Sequence, residues 1–307
     1  MNLEQLDAFV HVAELSSFTR ASAILGRTQP ALSRLVRQLE VDLRQNLLRR
    51  NGRGVVLTEA GKVLLEHSKG ILHQVDGARN ALKNLQGTLD GNFKVGLAPS
   101  VARVATLALV RGFQGQFPQA NISVSEGLSS YLAEWLAMGR IDAAILYDTG
   151  ETPLVDKRIL FGEEMFLISK PEAKVPSTIA LRELPQYPLI IPGRLHAIRT
   201  LVEMVASEHS IHLNIVLEID AVPPILDLVD EGYGHALLPL NAILADARRR
   251  RFHCTRITDP ALSARMALAT SNQHPMSRLG TKATAMLESV ILTQYAARQQ
   301  SADAYLA

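Results

Sequence analysis

No stretch of this chain approaches about 18 consecutive apolar residues, so no membrane-spanning helix is expected. The start, Met1-Asn2-Leu3-Glu4-Gln5, lacks the basic n-region of a secretory signal, which points to a cytoplasmic protein. Cysteine is nearly absent. The lone Cys254 cannot close a disulfide within the chain or supply a thiolate metal site by itself, and it reads as a small strand residue. Catalytic signatures are missing too: there is no Gly-x-Ser-x-Gly elbow and no Walker loop, and Gly232-x-Gly234 is too short for a dinucleotide fingerprint. His209 and His212 have only Glu208 beside them, so neither a metal nor another cofactor is expected.

Strong net charge is also lacking, at +2 over 307 residues, until it is divided along the chain. Residues 1–90 hold 12 Lys+Arg against 9 Asp+Glu, and residues 91–307 hold 20 against 21. The positive excess therefore lies wholly in the first part, a modest hint of a polyanion partner. The length favours two or three folding units.

In the first ninety residues, Leu3, Leu6, Phe9, Val10 and Ala13 recur at helical spacing and predict an amphipathic helix ending near Leu15. Ser16 and Ser17 offer an N-cap to a short helix over 18–25, which Gly26 stops. Thr28 caps a third helix to about Leu43, with Pro30 near its start. Its core stripe, Leu32, Leu35, Val36 and Leu39, leaves Gln29, Ser33, Arg34, Arg37 and Gln38 on other faces. Two short helices around a glycine turn, the second opening in Gln, Ser and Arg, fit a helix-turn-helix that reads double-stranded DNA: Gln pairs with adenine and Arg with guanine in the major groove. The alternative is a helical bundle with a solvated polar face. Residues 47–57 form a hairpin around Asn51-Gly52, decorated by Arg49, Arg50 and Arg53, which reads as a wing or as a solvated turn.

Thr58-Glu59 then caps a long helix in which Leu64, Ile71, Val75, Ala78, Leu82, Leu85 and Leu89 are spaced by 7, 4, 3, 4, 3 and 4, with Ser68 occupying the skipped turn. This heptad seam predicts pairing with a second chain; packing on the same chain is the alternative.

These residues carry a resemblance. The run Leu3-x2-Leu6-x2-Phe9, Ser17-Phe18-Thr19-x-Ala21, Leu25-x3-Gln29-Pro30-Ala31-Leu32-Ser33-x3-Arg37-x-Leu39-Glu40 and Leu57-Thr58-x-Ala60-Gly61 is similar to the N-terminal domain of LysR-type transcriptional regulators. Ser22, Arg44 and Leu48 depart from that pattern, where the family has Ala, Gly and Phe, and Arg44 bears on how the third helix ends. The resemblance implies that Thr28, Gln29, Pro30, Ser33 and Arg34 lie against DNA, with Arg50 and Arg53 on the wing.

From Asn92 onward strands and helices alternate, which predicts an α/β organisation with a parallel sheet. Strands are expected at 93–97, 122–126, 143–147, 189–191, 215–219, 236–238 and 266–270; helices are expected at 101–117, 197–209 and 224–231, and through Leu132 to Met138. The rhythm changes around 159–168, where a second lobe begins, and the last strand and a final helix through Leu279, Ala283 and Leu287 return to the first. The LysR resemblance extends here through Gly139-Arg140-Ile141-Asp142 and Gly232-x-Gly234-x3-Leu238-Pro239. Gly96-Leu97-Ala98-Pro99-Ser100 and Ala144-Ile145-Leu146-Tyr147 are similar to a subgroup containing nitrogen-assimilation regulators.

The expected architecture is therefore a winged helix-turn-helix domain (1–58), a linker helix (59–90) and a two-lobed, periplasmic-binding-protein-like effector domain (91–307), with lobe I at 91–161 and 266–295 and lobe II at 162–265. An anionic small-molecule effector would sit between the lobes. Ser100, Val101 and Ser129 stand at strand-to-helix turns of lobe I, and Arg194, Leu195 and His196 at one of lobe II. Tyr147 and Val222 are candidate apolar lining. The serines could equally be helix caps, and Arg194 a surface charge. The tract at 248–251 is read as a helix C-terminus without a DNA role. The partners expected are a pseudo-palindromic operator, the effector, a second chain in a homodimer or homotetramer, and RNA polymerase; no membrane is involved. The rival is a two-lobed α/β enzyme with an accessory helical domain, for which the sequence supplies no acid–base pair.

Overall fold

The computed structural model describes residues 1–51, 54–83, 89–150, 152–244 and 252–306, so Arg53, Leu85 and the arginine tract at 248–251 lie outside the described residues. Three helices form at the N-terminal end because each starts on a side-chain cap. Asn2 Oδ1 accepts from Gln5 N at 2.9 Å and Gln5 Oε1 from Asn2 N at 2.7 Å, opening α1 (Leu3–Leu15). Ser17 Oγ accepts from Arg20 N at 3.2 Å to open α2 (Phe18–Leu25), and Thr28 Oγ1 accepts from Ala31 N at 3.4 Å to open α3 (Gln29–Leu43). Gly26 ends α2 at φ +60°; Arg44 ends α3 at φ +53°, taking a left-handed turn without glycine. Phe9, Leu32 and Leu39 are fully buried between the three helices, each contributing about 1.5–3 kcal/mol. The hairpin of β1 (Leu48–Asn51) and β2 (Gly54–Leu57) inserts Val55 into the same core.

Thr58 Oγ1 accepts from Gly61 N at 3.0 Å at the start of α4 (Glu59–Lys83). This helix has two working faces. Leu64, Leu65 and Leu72 pack on the N-terminal core, and Lys69 pairs with Glu14 of α1 at 2.7 Å. On the other face, Glu66 pairs with Arg140, and His73 Nε2 lies 3.1 Å from Asp142 Oδ1. Gly70 permits this approach: a Cβ there would stand 2.1 Å from the Met138 carbonyl oxygen. Of the heptad seam, Leu64 is therefore engaged within the chain, and Leu89, which lies past α4 and outside a helix, packs on the core of the following domain, whereas Ile71 and Leu82 are exposed at 36 % and 70 %.

The remainder is built on one mixed sheet. β3 (Gly91–Leu97), α5 (Pro99–Gln116), β4 (Ala120–Glu126), α6 (Ser129–Ala137) and β5 (Ala143–Tyr147) make a parallel βαβαβ unit. β6 (Val155–Ser169) leads out of it to the short β7 (Thr178–Ala180). β8 (Leu189–Ile191), α7 (Ala197–Glu208), β9 (Ile215–Glu218), α8 (Val222–Asp230) and β10 (His235–Pro239) repeat the parallel pattern, followed by α9 (Leu240–Leu244) and β11 (His253–Thr258). β12 (Ser263–Ser271) and α10 (Arg278–Leu306) return to the first lobe.

The strand order β4-β3-β5-β12-β6-β10-β8-β9 corrects the expectation of a parallel sheet. β12 runs antiparallel to both β5 and β6, and β10 antiparallel to β6, because the chain passes between lobes on extended strands rather than through helical crossovers. The changed rhythm around 159–168 is one continuous strand of 15 residues. Its first half pairs with β12 in lobe I and its second half with β10 and β11 in lobe II.

Gly70→Ala would push α4 off the 138–142 turn at about 1–3 kcal/mol. Amide exchange across that turn should then accelerate between about 5- and 150-fold, while the N-terminal core keeps its protection. Unchanged exchange would show that the docking does not depend on this close approach.

Candidate functional site

Two regions of the molecule gather the chemistry-bearing residues. At the N-terminal end, Gln29, Pro30 and Arg34 stand exposed in the first two turns of α3, Ser33 is half-buried beside them, and Thr28 is the cap. Thr19 Oγ1, on α2, lies 3.4 Å from Gln29 Oε1, so the two helices of the turn share a hydrogen bond at the exposed end. Arg50 is exposed on β1. A groove between α3 and the hairpin is lined by Ser33, Arg37, Arg44 and Arg50. Arg37 and Arg44 are additional to the contacts expected from sequence. Arg37 follows Ser33 by four positions, so the helical period already places it on the same face.

The second region is the junction of the lobes. A cavity of about 30 Å³ is lined by Ser100, Ser129, Tyr147, His196 and Val222, with Pro99, Leu128 and Leu238 among its apolar walls. Five of the eight residues expected at the effector thus meet at one place, from two lobes. Val101 is wholly buried in the hydrophobic core, so only its backbone faces the helix start. Arg194 and Leu195 are exposed and outside the lining, in line with the surface-charge alternative for Arg194; Ser130 Oγ reaches the Leu195 carbonyl at 3.5 Å across the lobes.

Four helix N-termini point their first turns at this junction: α5, α6, α7 and α8. The caps of α5 and α6 are Ala98 and Leu128, neither making a side-chain cap bond, so Ser100 and Ser129 lie inside the helices rather than capping them. Ser129 Oγ accepts instead from Tyr147 N at 3.0 Å, which leaves its own hydrogen available. The first-turn amides of Ser100, Val101, Ser129 and Ser130 have no intrahelical acceptor. α8 adds little, since Pro223 and Pro224 carry no N–H. His196 Nδ1 accepts from Ile198 N at 3.2 Å, which puts the imidazole proton on Nε2. Burial holds this imidazole below its ordinary range, with Asp220 opposing, so it serves as a neutral group and not a cation.

Behind the cavity lies a polar cluster that the sequence did not reveal. Ser100 Oγ is 3.0 Å from Tyr147 Oη, Tyr147 Oη is 2.9 Å from Glu163 Oε2, and Asn241 Nδ2 donates to Glu163 Oε1 at 2.6 Å. Burial pushes the Glu163 carboxyl up, partly offset by the bonds from Asn241 and Tyr147. The Tyr147 phenol is pushed well above its ordinary value, chiefly by burial and then by Glu163.

Residues 3–62 match the family of bacterial regulatory helix-turn-helix proteins of the lysR type, and residues 86–290 match the LysR substrate-binding domain. The chain belongs to the LysR family. It is a DNA-binding transcriptional regulator with an effector-binding domain, and not an enzyme. The nitrogen assimilation regulatory protein nac of Escherichia coli is 30 % identical over 301 residues, covering 98 % of each chain. A point variant of full-length OxyR from Pseudomonas aeruginosa superposes with a TM-score of 0.70 at 23 % identity, over 95 % of this chain and 94 % of that one. Full-length CbnR complexed with its target DNA gives 0.67 at 20 % identity, over 95 % and 100 %. Among the described residues no helix is long and apolar enough to cross a membrane.

His196 and His235 are both held below their ordinary range by burial. Unfolded imidazoles take up protons near pH 6.5. The unfolded state therefore binds more protons, and stability present above about pH 6.5 is lost as pH falls below it. Thermal unfolding of a His196→Gln/His235→Gln variant should show a shallower acid-side loss than the parent. Parallel curves would show that neither burial is felt.

Proposed function

We propose that this regulator reads a pseudo-palindromic operator through Gln29, Ser33 and Arg34, holds phosphate through Arg50, Arg53, Arg37 and Arg44, and is switched by a small anionic effector between its lobes. Paired α4 helices impose the two-fold symmetry, with the exposed Ile71 and Leu82 as their contact, and a dimer of dimers follows from a second surface. As a DNA-bound regulator it works in the cytoplasm, where RNA polymerase is its further contact. The division into residues 1–58, 59–90 and 91–307 belongs to this reading.

The observation that carries the effector reading is the convergence of uncapped α5 and α6 starts with two serine hydroxyls and the His196 N–H on one cavity. Such a set donates hydrogen bonds and accepts few, which suits an anion. The cavity of about 30 Å³ is close to the share of one water molecule, so an effector enters by parting the lobes. Differential affinity for the parted arrangement is then the free energy available for switching.

Two measurements test the reading. Arg34→Ala should lose about 1–3 kcal/mol of operator binding in gel-shift titrations at fixed salt and relax base preference nearby; parent-like binding would remove α3 as the reading helix. A thermal-shift screen of small mono- and dicarboxylates should give stabilisation that Ser100→Ala and Ser129→Ala weaken and Arg194→Ala leaves largely in place. No response from any carboxylate would remove the anion assignment.

A further inference from the structure

Glu163 lies on β6 where the strand leaves β12 for β10: its register partner is Ala264, and Met165, two residues on, already faces Pro239. The side chain is 7 % exposed, and among the described residues no cation is paired with it. Each surrounding element offers it a neutral group: Tyr147 from β5, Asn241 from α9, Ser100 from α5 and Tyr295 from α10. The nearest charges along the strands are engaged elsewhere, Glu164 with Arg256 at 3.0 Å and Asp148 with Arg265 at 2.7 Å, while Arg298 acts on Tyr295. The Tyr295 hydroxyl is buried in the same cluster, beside Ser100.

A hydrogen-bond chain therefore runs Asn241, Glu163, Tyr147, Ser100, and its last member lines the cavity. The chain has two polarities. With Glu163 ionised, Tyr147 donates to Oε2 and Ser100 donates to Tyr147, so the serine hydrogen is spent and the cavity meets a lone pair. With Glu163 protonated, the Asn241 N–H occupies Oε1, so the acid hydrogen sits on Oε2 and donates to Tyr147 Oη. Tyr147 then donates to Ser100 Oγ, and the serine hydrogen is free for a ligand. A buried carboxylate without a cation also repels an incoming anion, and both effects favour the protonated form when an anion binds.

We propose that Glu163 sets the direction of this chain, so that the cavity accepts a carboxylate ligand together with one proton. Glu163 is a positioning residue: it acts through Tyr147 and Ser100. The inference rests on the reading of the inter-lobe cavity as the effector site.

The test uses the full chain with acetate, succinate and benzoate as probes and acetamide as the uncharged control, followed by calorimetry or thermal shift between about pH 5.5 and 8.5. The parent should bind carboxylate about tenfold more weakly for each pH unit above the Glu163 transition, with one proton taken up per ligand. Glu163→Gln keeps both bonds, accepting from Asn241 and donating to Tyr147 as the acid does, so it should bind with no pH slope from this group and without proton uptake. Glu163→Leu should lose the carboxylate response, and acetamide should show no slope in any variant. In the ligand-free parent, the infrared band of a protonated carboxyl should vanish as pH rises through the same range and be missing from Glu163→Gln. If carboxylates bind the parent and Glu163→Gln with the same slope and proton uptake, this proposal falls while the effector cavity stands. If no carboxylate binds, the cavity reading falls and takes this proposal with it.

Discussion

The sharing of β6 between two lobes is the constraint on which the rest of the effector domain depends. A strand of 15 residues gives one half of its backbone hydrogen bonds to β12 and the other half to β10 and β11. Neither lobe can complete its sheet without it. The strand is continuous, its pairing changes hands between Glu163 and Met165, and the chain crosses back between β11 and β12. It also sets where the proposed effector would sit. The parallel strands on either side end at the same junction, and the helices that follow them begin there, as expected where an open sheet changes direction.

This geometry explains why the junction is rich in donors. A strand-to-helix turn at the carboxyl end of each parallel strand exposes first-turn amides, and at α5 and α6 no side chain claims them. The serines there hold other partners, Ser129 the Tyr147 amide and Ser100 the Tyr147 hydroxyl. Tyr147 thus ties both lobe I helix starts to the end of β5. The carboxyl behind them, Glu163, is at odds with an anion site, and its burial without a cation resolves the conflict by favouring the neutral acid.

How much of this was legible depends on the reach of each interaction. The starts of α2, α3 and α4 follow from Ser17, Thr28 and Thr58, whose cap bonds span three residues and are written in the local sequence. The strand-to-helix turns bearing Ser100, Ser129 and His196 were legible instead from short apolar runs giving way to helical spacing, since Ser100 and Ser129 cap nothing. Glu163 and Asn241 were not: they are 78 positions apart, on a strand and a five-residue helix, and no periodicity links them. The direction of β12 escaped as well, since an alternating apolar strand reads alike in a parallel or an antiparallel sheet. Arg44 shows the converse case, where a residue without glycine's freedom still ends α3 at the expected place, because the next core position, Leu47, is buried and holds the chain there.

The path from the cavity to the DNA-binding end is short because one helix spans it. α6 has nine residues, about 13 Å of rod. Ser129 at its start lines the cavity, and the turn at its end carries Met138, Gly139, Arg140 and Asp142. Those residues meet Gly70, Gln74, Glu66 and His73 of α4. Trp135 on α6 also lies under the Arg140 guanidinium at 4.6 Å, so the group that pairs with Glu66 is positioned by the rod itself. α4 in turn packs through Leu65 and Leu72 on the core that holds α3, and Lys69 ties it to α1. A close-packed helix transmits a displacement of its start to its end with little loss. A displacement of Ser129 would therefore be felt at α4, on whose packed core α3 rests. The two contacts of α6 are only a few turns apart, so the polar docking at 138–142 is a direct packed route by which the switching proposed above would reach α4.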